Sequence, residues 1–306
     1  MPRAELPQAE LPRAELPQAE LPRAELPRAS ARGQFIPVLS SICTAVLIGK
    51  LCYFASNKDA GVIVYIGIDD TDNLDSRGTG YQARALGLSL AEAGLFELKS
   101  ITRHQLLFDK RIPYTSHNSS ACLVGDCNVL ISMLIEHCKT FLVRESAFDS
   151  DAGLCVAQES EINRDIVAYG NLAKHEVLTM DDAFRVISGT GIYLEGFKNL
   201  KIGIIGSLAG VALRAGAEDG RLLWLKNMRE TMGIFTIQDF LEVVPVDRVV
   251  DMQLNEIPLH ATIQITDWCR PVMKGGMITL IAEQANETQS YEYQSASKDY
   301  IKGISG

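Results

Sequence analysis

No Cys-x-x-Cys pair occurs in this chain, although it carries seven cysteines: Cys43, Cys52, Cys122, Cys127, Cys138, Cys155 and Cys269. Their scatter gives none of them a zinc role, and an odd count in 306 residues fits reduced thiols in a cytoplasmic protein. The histidines are equally uninformative, because His104, His137, His175 and His260 lack metal-ligand spacing. Positive charge is also scarce. The net charge is −9; residues 1–60 hold seven basic and six acidic residues, leaving 22 basic against 32 acidic after them. That balance excludes a general basic surface for nucleic acid and leaves room only for a local basic groove.

The first 60 residues have little that could build a core. Pro2, Pro7, Pro12, Pro17, Pro22 and Pro27 recur every five residues with Arg/Gln-Ala-Glu-Leu between them. A proline at that spacing breaks any helix, so residues 1–33 read as a disordered low-complexity repeat. Residues 34–60 are apolar and long enough to span a bilayer, but Pro37, Ser40, Ser41, Thr44 and Lys50 interrupt them. The flanking charges give no orientation, and no small-residue cleavage pattern precedes Ser56. A membrane anchor is therefore not the favoured reading. The expectation is an upstream extension from a misassigned start.

The rest is organised around Val62-Ile63-Val64-Tyr65-Ile66-Gly67-Ile68-Asp69-Asp70-Thr71-Asp72. Seven apolar, β-branched-rich residues predict a buried strand, and three carboxylates stand at its C-terminal end. A lone Asp there would cap a turn or a helix. Three in four positions repel one another unless a cation or hydrogen-bond donors compensate. Asn73 to Gly80 form a polar turn with glycines at Gly78 and Gly80, and a helix pattern follows from Tyr81. A strand, an acidic cluster, a glycine turn and a helix start are the parts of a magnesium–nucleotide site. Magnesium takes carboxylate oxygens and bridges to phosphates, while backbone N–H groups at a helix start suit phosphate.

Gly67-Ile68-Asp69-Asp70-Thr71-Asp72 resembles the opening motif of the archaeal tRNA-isoleucine agmatidine synthetase family. Arg103 with Ile112-Pro113-Tyr114 and Asn118-Ser119-Ser120-Ala121 resembles a second family segment, and Gly203-Ile204-Ile205-Gly206-Ser207-Leu208-Ala209 a third. The resemblance runs roughly from residue 61 to 215. It implies that Asp69, Asp70 and Asp72 hold magnesium and ATP phosphates. ATP then activates an oxygen by phosphorylation, and an amine displaces the phosphate. Thr79 lies where the family has a phosphate-accepting Thr, though it equally suits capping the next helix. Gly203 and Gly206 are expected to face Asp69. Arg103, Arg111 and His117 are candidates to neutralise phosphate charge. The family's oligonucleotide-binding barrel and zinc ribbon have no visible counterpart, so direct tRNA binding is not expected.

From Gly61 the periodicity predicts an α+β protein. The order β-α-β-β-α-β over residues 61–158 is the ferredoxin-like pattern. A second α+β domain is expected over 159–285, with Thr179 and Asp182 marking a helix start, and a frayed polar tail over 286–306. The leading functional reading is an ATP- and magnesium-dependent phosphotransferase or ligase acting on a small molecule or nucleoside. The alternatives are a nucleotide-binding or sensor module without turnover and, last, a membrane-anchored solute-binding protein. Mass spectrometry of the native protein is expected to recover no peptide from residues 1–30; recovering one would remove the misassigned-start reading.

Overall fold

The computed structural model describes residues 61–113 and 118–305. The proline repeat, the apolar segment 34–60 and His117 lie outside the described residues. Among the described residues, no helix is long and apolar enough to cross a membrane.

The first layer is β1 (Val62–Asp69), α1 (Thr79–Glu92), β2 (Glu97–Gln105), β3 (Ser119–Cys127), α2 (Ile131–Glu145) and β4 (Gly153–Gln158). Its strands pair antiparallel in the order β4-β1-β3-β2, the ferredoxin-like arrangement expected from the sequence. Strand β1 is central and buried on both faces, which is why it reads as a continuous apolar run. Val64, Ile66 and Ile68 pack with Leu86 and Leu90 of α1 and Leu134 and Leu142 of α2. Tyr65 turns to the opposite cluster with Cys122, Cys155 and Leu208.

That opposite face is covered by the chain beyond residue 158. It supplies α3 (Arg164–Leu172), α4 (Met180–Val186), β5 (Tyr193–Gly196) and α5 (Gly203–Gly216), and β5 extends the sheet beside β4. Asn163 caps α3, and Thr179 with Asp182 forms the reciprocal capping box of α4. Helix α5 is apolar nearly all round, and its residues from Gly206 to Leu213 are buried. It comes unusually close to the sheet. A Cβ on Gly67 would overlap the Ser207 carbonyl, and one on Gly153 would overlap Gly203. The small residues of α5 are therefore used for backbone-on-backbone packing.

The remaining elements are β6 (Arg221–Trp224), β7 (Gly233–Thr236), α6 (Ile237–Val243), β8 (Arg248–Val250), β9 (Thr262–Ile265), β10 (Val272–Lys274), β11 (Met277–Gln284), β12 (Tyr293–Ser295) and α7 (Lys298–Ile304). Strand β6 continues the sheet beside β2, and the path runs on through β10, β11, β12, β9 and β7. A separate core around Phe240, Leu280 and Ile263 fills this part. The tail expected to fray does not: β12 pairs with β11, Ser297 caps α7, and Ile301 is buried with Val250 and Ile281. Its few apolar residues are spaced to meet a surface that exists only once β11 is in place.

Substituting Gly67→Ala is expected to cost about 1–3 kcal/mol in urea denaturation, since α5 must move off the sheet. Gly303→Ala is the control: a Cβ there meets nothing within 4 Å, so the change should stay within about 1 kcal/mol and favour the helix. Equal effects would mean that α5 is not held against β1.

Candidate active site

The carboxylates stand where β1 ends. Antiparallel pairing sets Asp69 opposite Gly153, so the C-terminal end of β1 lies beside the N-terminal end of β4. Asp70 then takes a left-handed backbone conformation, with φ of 50°. This turns the chain sharply out of the sheet, a conformation that Asp and Asn tolerate better than most residues. Thr71 is fully buried, and its carbonyl accepts a hydrogen bond from the Ala147 N–H at 3.0 Å.

Asp72 reaches the start of α1. Its Oδ1 accepts from the Thr79 N–H at 3.0 Å and from the Thr79 hydroxyl at 2.7 Å. Thr71 Oγ1 donates to Thr79 Oγ1 at 3.1 Å. Asp72 thus satisfies one of the orphan N–H groups of the helix start, and Thr79, at the first helical position, is bonded into the same web. Between them, the Asn73 side chain accepts from the Asp75 N–H at 3.1 Å and donates to Asp149 at 2.7 Å.

The three motif carboxylates and Thr79 border one cavity of about 320 Å³. Asp69, Asp70, Asp72 and Thr79 form one wall, and Ile112, Pro113, Leu178, Met180, Ile202 and Ile205 make much of the rest. Arg111 lies on the rim, paired with Asp109 at 2.7 Å. Gly203 lines the cavity, and Gly206 stands directly behind Asp69, where a Cβ would overlap the carboxylate. The absence of a side chain at 206 makes room for Asp69.

The acidic end is electrostatically loaded. The Asp69 carboxyl is raised well above the ordinary carboxylate range, by burial first and then by Asp70; a backbone hydrogen bond from Asp70 opposes the shift. The Asp70 carboxyl is raised to about 6, by burial and then by the charges of Asp151 and Asp72. Asp151 is the member that sequence reasoning missed. Its carboxylate accepts N–H groups of Leu200 and Lys201, and its carbonyl accepts from Gly203 at 3.0 Å. The one available signal was its position two residues before β4, the strand that pairs with β1.

Other expected residues fall elsewhere. Gly78 is the exposed N-cap of α1, and Gly80 sits against Leu223, 3.1 Å from where its Cβ would be. Arg103, on β2, does not reach the carboxylates; it lines a second cavity. His117 lies outside the described residues. Among the described residues, no three His, Cys, Asp or Glu groups form a complete metal cage. The donors at hand are nonetheless all oxygen, the chemistry of magnesium. A cation held by one or two carboxylates, with phosphate and water completing its shell, fits them.

The raised Asp70 carboxyl gives a sign to pH dependence. Between pH 4 and 6 the folded chain holds a proton that the unfolded chain has released, so stability falls as pH rises through that window and stays lower above it. Asp70→Asn, which suits the left-handed backbone, is expected to flatten this slope. It should raise stability at pH 7 by roughly 1–3 kcal/mol in urea denaturation. An unchanged slope would mean that Asp70 is not under this repulsion.

No family model matches the chain, and neither does any curated protein. Among solved structures, it is similar to TiaS in complex with tRNA and ATP, at 23% identity over 49% of this chain and 36% of that chain, with a TM-score of 0.44. It is similar to TiaS in complex with tRNA, AMPCPP and agmatine at the same identity and coverage, with a TM-score of 0.42. Apo TiaS, a tRNA agmatidine synthetase, also matches at 23% identity, over 49% of this chain and 35% of that chain, with a TM-score of 0.43. The chain thus spans about a third of the length of those structures.

Proposed function

We propose that this chain is an ATP- and magnesium-dependent phosphotransferase or ligase-type enzyme acting on a small molecule or nucleoside. The observation that carries the reading is the convergence of Asp69, Asp70, Asp72 and Thr79 on one wall of a partly apolar cavity. Asp69 and Asp70 are the residues to hold magnesium, because their crowding is what a cation relieves. Bound there, magnesium would neutralise phosphate charge, and phosphoryl transfer needs such neutralisation and positioning more than covalent help. Asp72 keeps α1 and Thr79 in place. Its contact with the Thr79 hydroxyl at 2.7 Å is also the arrangement in which a carboxylate takes the proton of a hydroxyl that attacks the γ-phosphorus of ATP, with the bond to the bridging oxygen breaking and ADP leaving. The apolar wall of Ile112, Leu178 and Ile205 suits the flat face of a base. Arg111 on the rim supplies the positive charge for a phosphate tail.

The sequence motif from Gly67 to Asp72 supports the same reading through its resemblance to agmatidine synthetases. The overall acidity of the chain favours an acceptor smaller than tRNA.

Calorimetric titration of ATP into the full chain tests this. Binding is expected only with magnesium present, and Asp70→Asn should weaken it by roughly tenfold or more, as loss of a charged ligand to a bridging cation does. Binding that ignores magnesium, or that survives Asp70→Asn unchanged, would overturn the assignment.

A further inference from the structure

A second cavity, of about 530 Å³, has the opposite character. It is lined by Arg103, Lys174, His175, Arg221 and Lys302, with Leu106 and Leu107 among its apolar residues. Two of these cations are forced together. Arg103 of β2 and Arg221 of β6 are direct partners in the antiparallel register, a placement that like charges avoid. Both side chains are partly buried, and burial is the main influence pulling their pKa values down; Arg221 adds to that effect on Arg103. Neither arginine has a carboxylate partner among the described residues. Among the described residues Arg103 donates only to uncharged groups, at 3.0 Å to Ser119 Oγ and at 3.5 Å to Gln105 Oε1. Lys174 is neutralised by Asp219 at 2.6 Å, whereas Lys302 comes from the exposed side of α7.

Two half-buried guanidinium groups side by side, with a lysine at the rim, are a recognition surface for a compact multivalent anion. We infer that this cavity binds the phosphate or diphosphate group of a small ligand. A polynucleotide backbone calls for cations spread along an exposed track with stacking faces, whereas here they converge on one concavity of an otherwise acidic protein. The site is distinct from the carboxylate cavity. Asn118 faces the carboxylate cavity, and its side-chain amide donates at 2.7 Å to the carbonyl of Leu107, which lines the basic one. The chain around Leu106 to Phe108 therefore separates the two. The inference stands without the ATP assignment, and the two can fail separately.

The test is calorimetry of pyrophosphate with the full chain, in chelator so that no divalent ion is present. Saturable binding is expected. Arg221→Gln and Arg103→Gln should each weaken it by roughly tenfold or more. The melting temperature of Arg221→Gln should be no lower than that of the parent chain, because it relieves the like-charge pair without removing a side-chain hydrogen bond seen among the described residues. Asp70→Asn should leave pyrophosphate binding intact. Absence of binding would overturn the proposal, as would binding that ignores both arginine substitutions or is lost in Asp70→Asn. A single-stranded RNA oligomer that displaces pyrophosphate from the same arginines and binds more tightly would overturn the small-ligand reading.

Discussion

The seating of α5 on β1 is the constraint on which the site depends. Backbone meets backbone at Gly67 against Ser207 and at Gly153 against Gly203. Such close approach requires glycine, since no packed interior has room for an extra methyl group at that separation. It fixes where the start of α5 stands relative to the ends of β1 and β4. Asp69 then projects over Gly206, beside the segment Ile202–Ile205 that forms part of the cavity wall. The same contact buries Tyr65, Cys122 and Cys155 and accounts for β1 being apolar on both faces.

The energetic tension of the molecule is concentrated at the end of that strand. Asp69, Asp70, Asp72 and Asp151 meet where water is partly excluded. Part of the charge is managed internally. Asp72 is bonded to the helix start at Thr79, and Asp151 to the backbone at Leu200 and Lys201. Asp69 and Asp70 are compensated less, and their carboxyls move upward in consequence. A fold retains such a pair at the expense of stability, and a cation would recover that cost.

The basic cavity is the counterpart of this arrangement. Arg103 and Arg221 are paired across β2 and β6 with no carboxylate partner among the described residues, in a chain whose charge is strongly negative overall. Acidic and basic groups that would neutralise one another on an ordinary surface are kept in separate cavities by the segment through Leu107 and Asn118. Segregation of this kind preserves strong local potentials of both signs.

Much of the first layer was legible in the sequence. The β-branched run from Val62, the helix pattern after Gly80 and the ferredoxin-like order all follow from local periodicity, and the Thr179–Asp182 cap from local hydrogen-bonding chemistry. The cluster Asp69, Asp70 and Asp72 was legible because its members are neighbours in the chain. Asp151 was not, because it joins them only through antiparallel pairing of β4 with β1. Arg103 was expected near phosphate at the carboxylates, yet register carries it to Arg221 instead. The tail looked frayed because its apolar residues are few, and only β11 and its neighbours give Ile301 somewhere to be buried. The sequence by itself determined the elements and the acidic motif, since those depend on near neighbours and backbone preference. Only the tertiary structure decided which distant charges share a cavity, because strand register and the close approach of α5 are set by packing between residues far apart in the chain.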